Sequence, residues 1–142
     1  REAIRISSEA LARNPDHLQA QGNLGVIYIT YAEILLAKRD ANGALGNYRK
    51  ALSILEREPL RRAQMKSLAN VYEGMGNAHF LRGKASKQAE HFKEARGWYQ
   101  KSLDLWRALD EQGKVTGADK TTSGKIAQKI EQCNAAVALA AR

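Results

Sequence analysis

Cysteine is almost absent from this chain. Cys133 is the single one, so no internal disulfide can form and no thiolate pair is at hand for a metal. A reducing cytoplasm is the compartment expected for such a chain. Proline is nearly as scarce, with two in 142 residues, which leaves long stretches free of the residue that breaks helices. No apolar run approaches the roughly 20 residues needed to span a bilayer, so no membrane partner is expected. No charged-then-apolar leader precedes a small-residue cleavage site, and nothing points to secretion. The chain opens on Arg1 without a methionine and reads as a piece of something longer.

Ala, Leu, Lys, Gln and Glu are frequent and favour helix, and a 44% hydrophobic content suffices for a core. That length fits one compact domain or a few stacked repeat units. The net charge of +8 is divided unevenly about Pro59. Residues 1–59 hold eight basic and seven acidic side chains, whereas 60–142 hold fifteen and eight. Such a basic excess admits nucleic acid or an acidic protein as partner.

The chain repeats itself. Shifted by 44, Pro15 falls on Pro59, Leu24 on Leu68, Tyr28 on Tyr72, Tyr31 on Met75 and Ala32 on Gly76. Shifted by 51, Ala44, Gly46, Tyr48, Lys50 and Leu52 fall on Ala95, Gly97, Tyr99, Lys101 and Leu103. The difference of seven places an insertion within about 84–91 of the later unit. Seven residues are close to two helical turns, so a helix extended there keeps its buried face.

Each block has helical spacing. Leu24, Tyr28, Tyr31 and Leu35 form one apolar stripe, and Leu68, Tyr72, Met75 and His79 form its counterpart. Ala44, Tyr48, Ala51 and Leu55 repeat the pattern, as do Ala95, Tyr99, Ser102 and Trp106. Breaks around Arg39–Asp40 and Glu58–Pro59 are short, which makes sequential helices antiparallel neighbours. Ala32, Gly76, Ala44 and Ala95 are small enough for close backbone approach. A polar stretch over 111–123 follows, with Thr122 or Ser123 as expected helix cap. Ile126, Ile130, Cys133 and Val137 then stripe a last helix, the usual way to close the open end of a solenoid.

These residues resemble the tetratricopeptide repeat. The run MGNAHFLRG over 75–83, followed by FKEARGWYQKSL over 92–103, follows that motif apart from the insertion. The earlier unit, YAEILLAKRD over 31–40 and GALGNYRKAL over 43–52, has Ala32 where the motif has glycine. The resemblance implies an all-α fold of antiparallel helical hairpins stacked as a short solenoid. Its parts are a helix of a preceding repeat (1–14), a first repeat (15–58), a second repeat (59–110), a loop (111–123) and a capping helix (124–142). A narrower likeness is to the C-terminal repeat region of large bacterial serine/threonine protein kinases. It rests on WYQKSL over 98–103, Gly117-Ala-Asp119, and Ile126 to Cys133. No kinase catalytic loop, Asp-Phe-Gly triplet or nucleotide-binding lysine strand accompanies it, so kinase activity does not carry over.

Chemistry is hard to assemble from what remains. His17, His79 and His91 are scattered without a carboxylate or Cys at ligand spacing on one helical face, so no metal or cofactor is expected. His79 stands where the repeat places Tyr and reads as a core residue. Cys133 on its stripe reads as a small hydrophobe. Gly74 and Gly76 follow no strand and do not form a phosphate loop. No nucleophile, base and orienting group come together, and no enzyme is expected.

The expected function is therefore protein or peptide binding, as a scaffold. The family's concave groove maps onto Ile29, Glu33 and Leu36 in the first unit, and onto Asn70, Glu73, Asn77 and Phe80 in the second. Asn77 suits an extended peptide, because an amide both donates and accepts. Glu73 and Ile29 stand where some members place lysine, so capture of a free carboxylate in this groove is not expected. Glu33, Glu73 and Asn77 point instead to a segment with basic or amide groups. The alternative is nucleic-acid binding through Lys84, Lys87, Lys93, Arg96, Lys101 and Arg107, among which Glu90, Glu94 and Asp104 are interleaved.

Overall fold

The computed structural model describes residues 2–14 and 17–142. Arg1, Pro15 and Asp16 lie outside it, and with them the Pro15–Pro59 match and the expected start of the first repeat at 15. Seven helices account for nearly all of the described residues, and no strand occurs among them. They are α1 (Glu2–Arg13), α2 (Leu18–Ala37), α3 (Ala41–Leu55), α4 (Leu60–Ala63), α5 (Met65–Ser86), α6 (Ala89–Glu111) and α7 (Thr122–Ala140), with a short 3-10 turn at Gly117–Thr121. No helix is long and apolar enough to cross a membrane among the described residues.

Two compact units divide within α5, after Leu68. In the first, α2 and α3 run antiparallel, with Leu55 packed over Gly25 at one end and Lys50 reaching Tyr28 further along. Ala32, Ala44, Tyr48, Ala51 and Leu55 are buried between them. The polar ends of these helices are closed locally. His17 Nδ1 accepts from Ala20 N at 2.9 Å, and Asp40 Oδ1 accepts from Gly43 N at 2.9 Å, so each caps the helix that follows it. At the end of α2, Arg39 turns left-handed at φ 63°, while Arg39 N donates to Leu36 O and Asp40 N to Leu35 O. Both last-turn carbonyls are thereby satisfied. Helix α1 packs on α2 but contributes no fully buried residue.

In the second unit, α5 and α6 run antiparallel. Ser102 Oγ donates to Ala69 O at 2.8 Å near one end, and Phe92 meets Phe80 edge-on at 5.1 Å near the other. Between these points Tyr99 lies over Gly76 so closely that a Cβ on Gly76 would sit 2.5 Å from the ring. The small residue is required by that ring. Helix α7 lies antiparallel on α6, pinned by Arg96 Nη1 donating to Asn134 Oδ1 at 2.8 Å, with Ile126 and Cys133 fully buried. Both helices of this pair are longer than α2 and α3 and extend to the hairpin tip. α5 runs on to Ser86, Lys87 turns at φ 58°, and α6 starts at Ala89.

Three expectations are corrected. The helix after Pro59 is interrupted: Gln64 leaves helical geometry at φ −120°, ψ 34°, and separates α4 from α5. Neither Thr122 nor Ser123 caps α7. Both lie in its first turn, because the 3-10 turn feeds straight into the helix and Asp119 O accepts from Thr122 N. The charge asymmetry belongs to the cut at Pro59. Divided after Leu68, the chain holds eleven basic and seven acidic residues in one part, twelve and eight in the other, a balance of +4 in each.

Candidate functional site

Helix α2 carries apolar residues on most of its circumference but is covered on one side only, since Leu18, Val26 and Ile34 stay exposed. Ile29 lies on the covered side, at 8% exposure, and does not present its side chain to solvent as the groove mapping expected. Leu36 is half-buried and Glu33 is exposed.

The four positions on α5 fare differently. Asn70 is exposed, while Glu73, Asn77 and Phe80 are half-buried. Phe80 is held by Phe92. Glu73 and Asn77 are engaged by a residue that the repeat pattern did not single out. Lys129 of α7 donates through Nζ to Glu73 Oε2 at 2.6 Å and to Asn77 Oδ1 at 3.2 Å. Asn77 Oδ1 also accepts from Tyr99 OH at 2.6 Å, and Lys129 Nζ sits 5.7 Å above the Tyr99 ring. The side chains of Lys129 and Glu73 keep 31% and 24% exposure, so the cluster faces solvent in part.

This arrangement changes what the strip offers. The acidic sign of Glu73 is answered inside the unit, which removes most of the basis for expecting a basic ligand. Both contacts to Asn77 fall on its carbonyl oxygen. They orient the amide and leave Nδ2 without a partner among the described residues. What faces outward is a fixed N–H donor, suited to a carbonyl oxygen of an extended chain.

Beneath the strip the Tyr99 phenol and the Cys133 thiol are held neutral. Burial pushes the Tyr99 phenol up, and the neighbouring Glu73 carboxylate pushes the same way. Burial likewise raises the Cys133 thiol to about 11, although Arg96 works against it. A thiol so placed carries little thiolate at neutral pH and is a poor nucleophile. His79 is buried, and His17 serves as a helix cap.

The cationic residues considered for phosphate contact are partly committed elsewhere. Lys93 pairs with Glu90 at 3.3 Å, and Arg96 bonds Asn134. Lys101 lies over the Trp98 ring at 4.6 Å and over Tyr72 at 5.6 Å. Compared with models of protein families, with curated proteins and with solved structures, the chain has no match.

Proposed function

We propose that this chain is a non-catalytic protein-interaction module of the tetratricopeptide type. In this reading its helical hairpins stack as a short solenoid closed by α7, and it serves as a cytoplasmic docking domain of a larger bacterial protein, one that also carries a kinase domain. Recurrence of side-chain detail supports the repeat. Lys50 lies 5.5 Å over Tyr28, and Lys101 lies 5.6 Å over Tyr72, at positions equivalent under the two offsets. Tyr48 and Tyr99 are each 2% exposed, and Ala44 and Ala95 are each fully buried. Left-handed Arg39 and Lys87 end the first helix of each pair.

The observation that carries the binding role is the fixed amide of Asn77. Held by Tyr99 and Lys129, it offers Nδ2 beside exposed Asn70 and half-buried Phe80. A partner segment in extended conformation supplies the carbonyl and lays an apolar side chain against Phe80. Backbone recognition of this kind tolerates varied sequences, with specificity added by pockets for side chains. Asn77→Asp keeps the shape and the acceptor oxygen but removes the donor. Partners recovered from native cell extract on the wild-type chain are expected to be lost on Asn77→Asp, with folding checked by circular dichroism. Recovery of the same partners in the same amounts by both chains sinks the assignment.

A further inference from the structure

The α5–α6 tip builds a second feature, apart from the Asn77 strip. The end of α7 comes beside this tip, where Gly83, Phe92, Ala136, Leu139 and Ala140 line a cavity of about 330 Å³. Lys84 and Lys87 complete its wall. Gly83 is needed there, since a Cβ on it would fall 2.7 Å from the Phe92 ring. Leu139 is 67% exposed and adds its apolar side chain to the open rim of the hollow. No acidic residue among the described ones lines the cavity. Both lysines are exposed, and neither ammonium has a hydrogen bond or ion pair among the described residues.

We propose that this cavity docks one bulky apolar side chain of a partner peptide whose acidic residues flank that side chain. Its volume lies at the lower end of ligand-binding cavities and suits a single anchor. Anchors of this kind, seated in a pocket and fenced from water, carry most of the energy of small interfaces. The two free ammonium groups supply the charge complement. Lys84 sits in the last turns of α5 and Lys87 in the turn that follows. Two cations on neighbouring elements are better answered by carboxylates on both sides of the anchor than by the single carboxylate of an acyl chain. Exposed pairs of this sort add modest affinity and fade with salt, but they select and steer the partner.

The probe is a fluorescein-labelled peptide EEFEE with both ends blocked, compared with EEAEE, QQFQQ and decanoate. Binding is read by anisotropy and by amide chemical shifts of Ala136, Leu139 and Ala140. EEFEE is expected to move those three amides and to bind at least about tenfold more tightly than either altered peptide. The double variant Lys84→Gln, Lys87→Gln, whose side chains are exposed, should weaken EEFEE by at least about tenfold while a thermal melt shows the chain still folded. Ala136→Trp, which fills the cavity, should abolish binding. Should that variant misfold, the lysine pair decides alone. No shift at the three amides, equal binding of EEFEE and QQFQQ, or tighter binding of decanoate than of EEFEE overturns the proposal. Because the readout sits at the tip of α7, its failure is distinct from a failure at Asn77.

Discussion

Tyr99 does three things with one side chain. Its ring fills the space that Gly76 leaves open, its hydroxyl fixes Asn77, and its face receives Lys129. These roles separate by substitution. Tyr99→Phe keeps the ring and loses the hydrogen bond, an expected cost of about 1 kcal/mol. Tyr99→Ala removes the ring as well, and truncations of buried aromatics typically cost about 3–5 kcal/mol. Urea melts of the two variants should therefore differ by a wide margin. Equal midpoints would contradict the role of the Tyr99 ring in the core of the second unit. The core role of Tyr99 was legible in the sequence, because it lies on a stripe with Ala95, Ser102 and Trp106. The Asn77 contact and the Lys129 pair were not. Both are polar links between helices, and Lys129 is separated from Glu73 by the whole of α6 and by a loop whose course no local pattern dictates. The capping by His17 was equally hidden, since histidine is not among the usual cap residues.

At the scale of the element, periodicity did most of the work. The stripes on α2, α3, α5, α6 and α7 name residues that the structure buries, including Leu24, Tyr48, Met75, Trp106 and Ile126. Where the helices stop was less legible. The break at Gln64 falls inside a sequence with ordinary helix formers, and the 3-10 turn before α7 hides in a polar stretch. In both places backbone hydrogen bonds across a turn decide the path, and these leave little trace in side-chain pattern. The glycines of α3 and α6 give a test of element energetics. Gly46 and Gly97 lie within helices, and an added Cβ would meet nothing within 4 Å at either site. Alanine at each is expected to stabilise the chain by about 0.5–1 kcal/mol through lower chain entropy in the unfolded state. Gly76→Ala should do the opposite, because Tyr99 must move. A thermal melt that ranks Gly97→Ala at or below wild type contradicts this account of the open sites.

For the whole molecule, the balance of +4 in each unit matters more than the total of +8. A nucleic-acid face needs cations gathered and free, yet Lys93, Arg96 and Lys101 are held by Glu90, Asn134 and the Trp98 and Tyr72 rings. Labelled DNA and RNA titrated at about 50 and 200 mM salt are expected to show only weak, sequence-independent association at the lower concentration. Micromolar binding with a steep salt slope would falsify the protein-partner reading. Charge counted along the chain misled here because Arg61, Arg62 and Lys66, which lie after Pro59, fold with the first unit.

The placement of the aromatic residues also gives the chain a built-in optical division. Trp98 and Trp106 both lie on α6, in the second unit, whereas Tyr28, Tyr31 and Tyr48 are the large aromatics of the first. Tryptophan emission therefore reports on one unit alone, and far-ultraviolet dichroism sums the helices of both. The two tryptophans differ as well. Trp106 is 2% exposed, and Trp98 is half-buried under Lys101. A quencher dissolved in water reaches Trp98 first, so its emission doubles as a gauge of whether the lysine stays seated on the indole.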